Sequence, residues 1–181
     1  MPRPDACSPG ARGSIDDPTL NCLHPVGNEL VRHWRSLRPG DGFPSEDAVD
    51  PNAIRAILPH ILMIDVVHNE PHNSFKFRYR LAGTEVTRSY GAITGKFVDE
   101  ALRPAARERY VWVLDRVLGE RLPLRNIGYA QLIEQRWQIS EVVVLPLVDG
   151  DDINVMIGSI IRWYDDNPPP TVQEAWTRQA G

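Results

Sequence analysis

Residues 153–164 are apolar on both parities: Ile153, Val155, Ile157, Ile161 and Trp163 alternate with Met156, Ile160 and Tyr164. Successive side chains of a strand point to opposite faces, so a strand of this composition has to be covered on both sides. It belongs in the middle of a sheet with one layer packed above it and another below. A chain of 181 residues has material for one such core with short tails, and is too short for two sizeable ones.

Residues 26–37 suit one of the two layers. Val26, Leu30, His33, Trp34 and Leu37 fall on one helical stripe with Asn28, Arg32, Arg35 and Ser36 opposite, and Pro39-Gly40 ends the helix. Burial of Leu30, Trp34 and Leu37 would contribute roughly 1.5 to 3 kcal/mol each, enough to hold a helix that is marginal alone. Trp112 lies on a second helix, on the side of Glu108, Asp115 and Arg116, and is a further candidate contact residue. The outer sheet face therefore needs this helix, a second subunit, or both. The expectation is a homodimer with Leu30, Trp34, Leu37 and Trp112 at its interface, and a monomer with the helix folded back is the alternative.

The remaining elements follow from period and punctuation. Asp50-Pro51 opens a short helix that stops before Pro59. Residues 62–67 form a strand, and Phe75, Phe77, Tyr79 and Leu81 share one face of the next, opposite Lys76, Arg78 and Arg80. A short helix begins at residues 83–86, and a longer one starts near Pro104 with Ala106, Tyr110, Val113, Leu114 and Val117 on one stripe. Strands follow over about 123–130, 136–147 and 153–164. Residues 1–24 are rich in Pro and Gly and read as a flexible tail, 25–165 as the domain, and 166–181 as a Pro-rich linker with a short C-terminal helix that Trp176 would anchor.

The formal charge of -4 and a pI near 5.7 argue against a general phosphate-backbone footprint, so no nucleic acid is expected. No apolar run approaches the roughly 18 residues of a membrane span, so no membrane partner is expected either. Two cysteines, Cys7 and Cys22, make no disulfide framework, and the expected location is the cytoplasm. Residues 91–97 have three residues between the glycines where a phosphate loop has four, and Phe97 stands where Ser or Thr would be needed. His68, Glu70 and His72 read as solvated turn residues, and His33 and His60 as structural histidines. No metal site is assigned. No serine elbow or activated cysteine is visible, and the carboxylates Asp65, Asp99, Glu100 and Glu141 are scattered, so no catalytic residue is assigned.

Two strands, short helices, a long helix and three strands is the element order of a PAS domain. The residues add Leu58-Pro59, residues 62–66, the stretch Tyr79-Arg80-Leu81-Ala82-Gly83-Thr84, Gly91, Thr94-Gly95-Lys96, and Gly119 to Pro123, with Trp34 and Pro44 upstream. Together these resemble a family of compact bacterial PAS-like proteins over roughly residues 30–164. The resemblance implies an α+β fold whose five-stranded antiparallel sheet has the order 2-1-5-4-3, with helices on one face and the N-terminal amphipathic helix beside it. It implies a sensory or protein-interaction module in signal transduction, acting through a separate, unidentified signalling protein. The blue-light flavin type of PAS domain needs a core cysteine and the usual haem type a histidine on the long helix. Neither residue is present at those positions, so no haem or flavin is expected. Tyr79, Tyr90, Tyr110 and Trp137 are the candidate ligand-binding residues, with large surfaces and polar tips for an apolar or weakly polar metabolite. The rival reading is a small α+β cone-fold enzyme, an isomerase or dehydratase, which requires an inward carboxylate or histidine at a void. A third is a scaffold with a collapsed pocket.

Overall fold

The computed structural model describes residues 15–70, 74–133 and 136–164. In chain order the elements are β1 (Ile15–Asp17), α1 (Pro25–Ser36), β2 (Ile61–Asn69), β3 (Ser74–Ala82), α2 (Thr84–Tyr90), α3 (Val98–Ala101), α4 (Pro104–Glu120), β4 (Leu124–Ile133), β5 (Arg136–Asp149) and β6 (Asp152–Tyr164). The sheet order is β1-β4-β5-β6-β2-β3, antiparallel throughout. The last five strands in sequence reproduce the expected 2-1-5-4-3 arrangement. The doubly apolar strand β6 is central, paired with β5 on one side and β2 on the other.

Each sheet face carries its own core. On the inner face α2, α3 and α4 bury Val86, Val98, Val113 and Val117 against Leu62, Ile64, Phe77, Leu124, Val142 and Met156. On the outer face Leu30, Val31 and Trp34 of α1 pack on Val143, Leu145, Val155 and Ile157. The folded-back helix thus covers the outer face within one chain.

Three features hold α1 in place. Glu141, 2% exposed, accepts the backbone N–H groups of Leu23 at 2.8 Å and His24 at 3.1 Å, and its charge is met by Nε of Arg125 at 2.6 Å. His24 Nδ1 accepts the N–H of Val26, capping the helix. At the other end the Trp34 indole donates to the carbonyl of Pro146 at 2.9 Å.

Several expectations need correction. The tail predicted over 1–24 is not unstructured up to residue 24: β1 adds a sixth strand at the edge of β4, pairing Asp16 with Asn126 and Asp17 with Arg125, and Leu20 is buried. Polar pairing rather than apolar burial fixes β1, which is why a hydrophobicity reading passes over it. The helix expected after Asp50-Pro51 is a run of turns ending in a 3-10 turn at Leu58–His60. Asp50 does cap the Asn52 N–H at 2.9 Å, but no α-helix propagates from it. Leu81 does not share the face of Phe77 and Tyr79. A bulge between Met63/Ile64 and the opposing Leu81/Tyr79 inserts Arg80 and moves Leu81 outward, where it is 41% exposed. Phe75 is also exposed, lying beside the His68 ring at 5.3 Å near the β2–β3 turn. The proposed C-terminal helix and Trp176 lie outside the described residues.

Gly83 and Gly158 mark close backbone approaches. A Cβ at Gly83 would strike the Leu58 and Pro59 carbonyls, and one at Gly158 the Val143 carbonyl.

Two outcomes are expected. Leu30→Ala, in a wholly buried site, should lower the free energy of unfolding by about 2 to 5 kcal/mol in denaturant titration; a loss below about 1 kcal/mol would show that α1 does not rest on the sheet. The second concerns pH. Burial lowers the pKa of His24, the neighbouring His60 lowers it further, and Glu141 opposes both. A base whose folded pKa lies below its unfolded value contributes stability above the unfolded pKa, near 6.5, and loses it as pH falls through the folded one. Thermal melts below about pH 6.5 should therefore fall more steeply for the natural chain than for His24→Asn, which keeps a capping oxygen without titrating. Parallel slopes would refute this.

Candidate functional site

The apolar stripe of α4 contains one charged residue. Arg109 falls three residues after Ala106 and four before Val113, so the helix drives it into the sheet together with them. It is 3% exposed. Nε donates to Asn126 Oδ1 at 2.5 Å, Nη1 to the Gly128 carbonyl at 3.0 Å and Ser140 Oγ at 2.8 Å, and Nη2 to the Ser140 carbonyl at 2.9 Å. These acceptors come from the inward faces of β4 and β5. Burial lowers the pKa of Arg109, while Tyr110, Tyr90 and Asp16 act the other way; a guanidinium still keeps its proton in a protein.

The network continues in both directions. Toward the core, Ser140 Oγ lies 3.1 Å from the Tyr110 hydroxyl, which lies 2.9 Å from that of Tyr90. Burial raises the pKa of Tyr90, with Tyr110 adding to it, and that of Tyr79 likewise, so both phenols stay protonated and can donate. Toward the surface, Asn126 Nδ2 donates to Asp16 Oδ1 at 2.6 Å, and Asp16 Oδ2 accepts Arg116 Nη1 at 3.1 Å. The Arg116 guanidinium lies over the Trp112 ring at 5.1 Å. A continuous chain of polar contacts thus runs from the half-buried Tyr90 at the margin of the core to Trp112 on the outer side of α4.

Tyr110 also borders a void of about 10 Å³ with Tyr79, Leu62, Ile64, Val113, Leu114 and Ile160. A space of that size is about what a single water needs, so anything larger enters only if the lining moves. Its lining is apolar apart from the two phenols.

Of the predicted ligand residues, Tyr79 and Tyr110 meet at this void, and Tyr90 joins through its hydroxyl. Trp137 pairs with Leu132 in the β4–β5 ladder; its side chain lies outside the described part. Of the predicted contact residues, Leu30 and Trp34 are consumed by the chain's own outer-face core, whereas Leu37 and Trp112 are half-buried. Asp65 pairs with Arg78 and Arg80, Glu141 with Arg125, and His68 with Glu70. His33 was expected to be a satisfied structural histidine, yet its Nε2 is buried with no partner among the described residues. Among those residues no three His, Cys, Asp or Glu side chains gather into a metal-binding group, and no helix is long and apolar enough to cross a membrane. Arg109, Asn126, Ser140 and Asp16 are absent from the sequence-derived site. The available signal was the charged residue on an otherwise apolar stripe.

Tyr110→Phe removes the hydroxyl joining Tyr90 to Ser140 and should cost about 1 to 3 kcal/mol. A cycle with Ser140→Ala should show coupling above about 0.5 kcal/mol. Strict additivity would mean that the chain is not an energetic unit.

No curated protein matches the chain. A solved structure of an RNA-binding light-oxygen-voltage receptor is similar at 20% identity and a TM-score of 0.38, covering 67% of this chain and 34% of that one. This chain therefore spans about a third of the length of that receptor structure, and a likeness at this level carries no argument. The sequence model of the PAS domain family matches residues 22–161, from the segment anchored by Glu141 to within three residues of the end of the central strand. With the expected strand order present and the family model covering most of its length, the chain belongs to the PAS domain family.

Proposed function

We propose that this PAS domain is a cytoplasmic sensory module that takes a small, weakly polar ligand against Tyr79, Tyr90, Tyr110 and Trp137 and passes the change to a separate signalling protein. The observation that carries the reading is the polar chain from Tyr90 through Tyr110, Ser140, Arg109, Asn126, Asp16 and Arg116 to Trp112. Tyr110, one step in from the Tyr90 end, borders the core void, and the other end reaches a half-buried aromatic residue on α4. A ligand hydroxyl or carbonyl entering the void would replace a Tyr–Tyr or Tyr–Ser hydrogen bond. Because Arg109 is buried, any loss among its acceptors has to be made good by rearrangement of β4, β5 or β1. Asp16 would carry that rearrangement to Arg116, and hence to the surface the partner reads. Homodimer contacts, in this reading, use Leu37 and Trp112, the contact candidates that keep exposed surface.

The reading is sensory rather than catalytic because the void is lined by apolar side chains and phenols, whereas the cone-fold enzyme alternative calls for a carboxylate or histidine there. A protein partner is favoured over RNA by the net charge of -4 and by the engagement of Arg78, Arg80, Arg88, Arg116 and Arg125 with carboxylates.

Native mass spectrometry of freshly purified full chain should show a stoichiometric small-molecule adduct that Tyr110→Phe weakens. Hydrogen exchange around Asp16 and Trp112 should change when the adduct is stripped. A bare mass, or stripping that leaves exchange at both places unaltered, overturns the proposal.

A further inference from the structure

The loop after α1, the C-terminus of α4 and the turn between β5 and β6 come together at one end of the sheet. Ser45 and Val148 form a parallel bridge, the Val148 N–H donates to the Pro44 carbonyl at 3.0 Å, and Arg121 Nη2 donates to the Asp151 carbonyl at 2.8 Å. Arg38 ties the loop back on itself, donating to the carbonyls of Asp41 at 2.7 Å and Gly42 at 2.9 Å. Between these segments runs an open groove of about 520 Å³. Pro39, Phe43 and Val148 supply its apolar surface, and Asp41, Asp151 and Arg121 its charged groups.

The charge around this groove is one-sided. Asp41 and Asp151 line it, Asp149 and Asp152 flank Asp151 in the same turn, and all four are exposed. None of them takes part in an ion pair among the described residues. Arg121 is the one cation of the lining, and its guanidinium is engaged by the Asp151 carbonyl and lies 5.9 Å from the centre of the Phe43 ring. The 17-residue α4 also ends here, so the negative end of its dipole adds to the field of the carboxylates. An apolar surface rimmed by negative charge is complementary to side chains that carry a positive head on an aliphatic stem.

We propose that this groove docks a basic segment of the separate signalling protein, with the stem of a lysine or arginine against Phe43 and Val148 and its charge among Asp41 and the carboxylates of the β5–β6 turn. The proposal rests on the sensory reading for the existence of that protein, and it adds a second contact to the one at Trp112. Trp112 precedes Arg121 by nine residues along α4 and its cap, about 13 Å of helix at 1.5 Å per residue. An extended segment of about four or five residues covers that distance, so one stretch of partner chain can reach both places.

The test is an NMR titration of the full chain with an acetylated, amidated peptide of one leucine between two arginines. The peptide should saturate and shift the amide signals of Gly42, Phe43 and Gly150. Glutamates in place of its arginines should abolish saturation, and glycine in place of its leucine should weaken binding about fivefold. Asp41→Asn combined with Asp151→Asn, both at exposed positions, should leave the melting temperature unchanged and cost the peptide about fivefold in affinity. Glu70→Gln combined with Glu108→Gln removes the same charge from exposed positions elsewhere and should cost less than about twofold. Equal losses in the two double variants, saturation by the glutamate peptide, or shifts that spare the groove each overturn the proposal. So does free argininamide binding as tightly as the peptide, which would make the groove a small-molecule site. A sedimenting dimer that the peptide dissociates would assign the groove to a second copy, and overturns it as well. The titration needs no core ligand, so a bare mass in native spectrometry and a failed titration are separate results.

Discussion

A single buried carboxylate, Glu141, decides how the outer face of the sheet is closed. An ionised group in that position is costly unless paired and fully hydrogen-bonded, and its partners are Arg125 from the neighbouring strand and two consecutive backbone N–H groups of residues 23 and 24. Those N–H groups immediately precede the helix, so satisfying the carboxylate fixes where α1 begins. The apolar stripe of α1 then falls on Val143, Leu145 and Ile157. Without that anchor the central strand would present one of its two apolar faces to water.

The inner face carries a second buried charge with a different solution. Arg125 meets a carboxylate directly, whereas Arg109 is surrounded by carbonyls, an amide and a hydroxyl. The two systems meet at β1. Alternation along a strand puts Asp16 and Asp17 on opposite faces, so Asp16 reaches Asn126 and Arg116 while Asp17 reaches Arg125 at 3.4 Å. A three-residue edge strand therefore joins the inner network to the outer one. Its stability rests on charge and hydrogen bonding, and a change in either network acts on the other through it.

What could be read from the sequence was what apolar periodicity encodes. The two-faced β6, the stripe of α4 and the amphipathic α1 are each set by burial, and each lies where the pattern put it. The features that escaped are set by polar partners distant in the chain. β1 carries no apolar signature, and its partners are more than a hundred residues away. The Leu81 reversal depends on a bulge, and periodicity cannot register one inserted residue until the pairing is known. Tyr79, Tyr90 and Tyr110 read from the sequence as large side chains with polar tips, and the hydroxyls of Tyr90 and Tyr110 lie 2.9 Å apart. The Arg109 guanidinium, which holds Ser140 beside Tyr110, is not legible there, because charged residues on helices are ordinarily assigned to solvent.

The residues that carry the family resemblance do structural work, and apart from Tyr79, Leu62 and Ile64, which border the core void, they are not the residues that carry the proposed chemistry. Tyr79 binds Gly95 and Lys96 through its backbone, Tyr79 N–H to the Lys96 carbonyl at 3.0 Å and Gly95 N–H to the Tyr79 carbonyl at 2.7 Å, tying the loop before α3 to the sheet edge. Arg80 forms the bulge and pairs with Asp65 and Glu46. Gly83 donates to the Ile61 carbonyl at 2.8 Å and leaves no space for a Cβ beneath Leu58-Pro59, and Thr84 opens α2. Every one of these fixes how the helical layer meets the sheet. Arg109, Asn126, Ser140 and Asp16 lie outside the stretch. A shared scaffold motif can thus persist while the side chains lining its core and grooves differ, and the physical basis of what this domain senses has to be sought in those side chains.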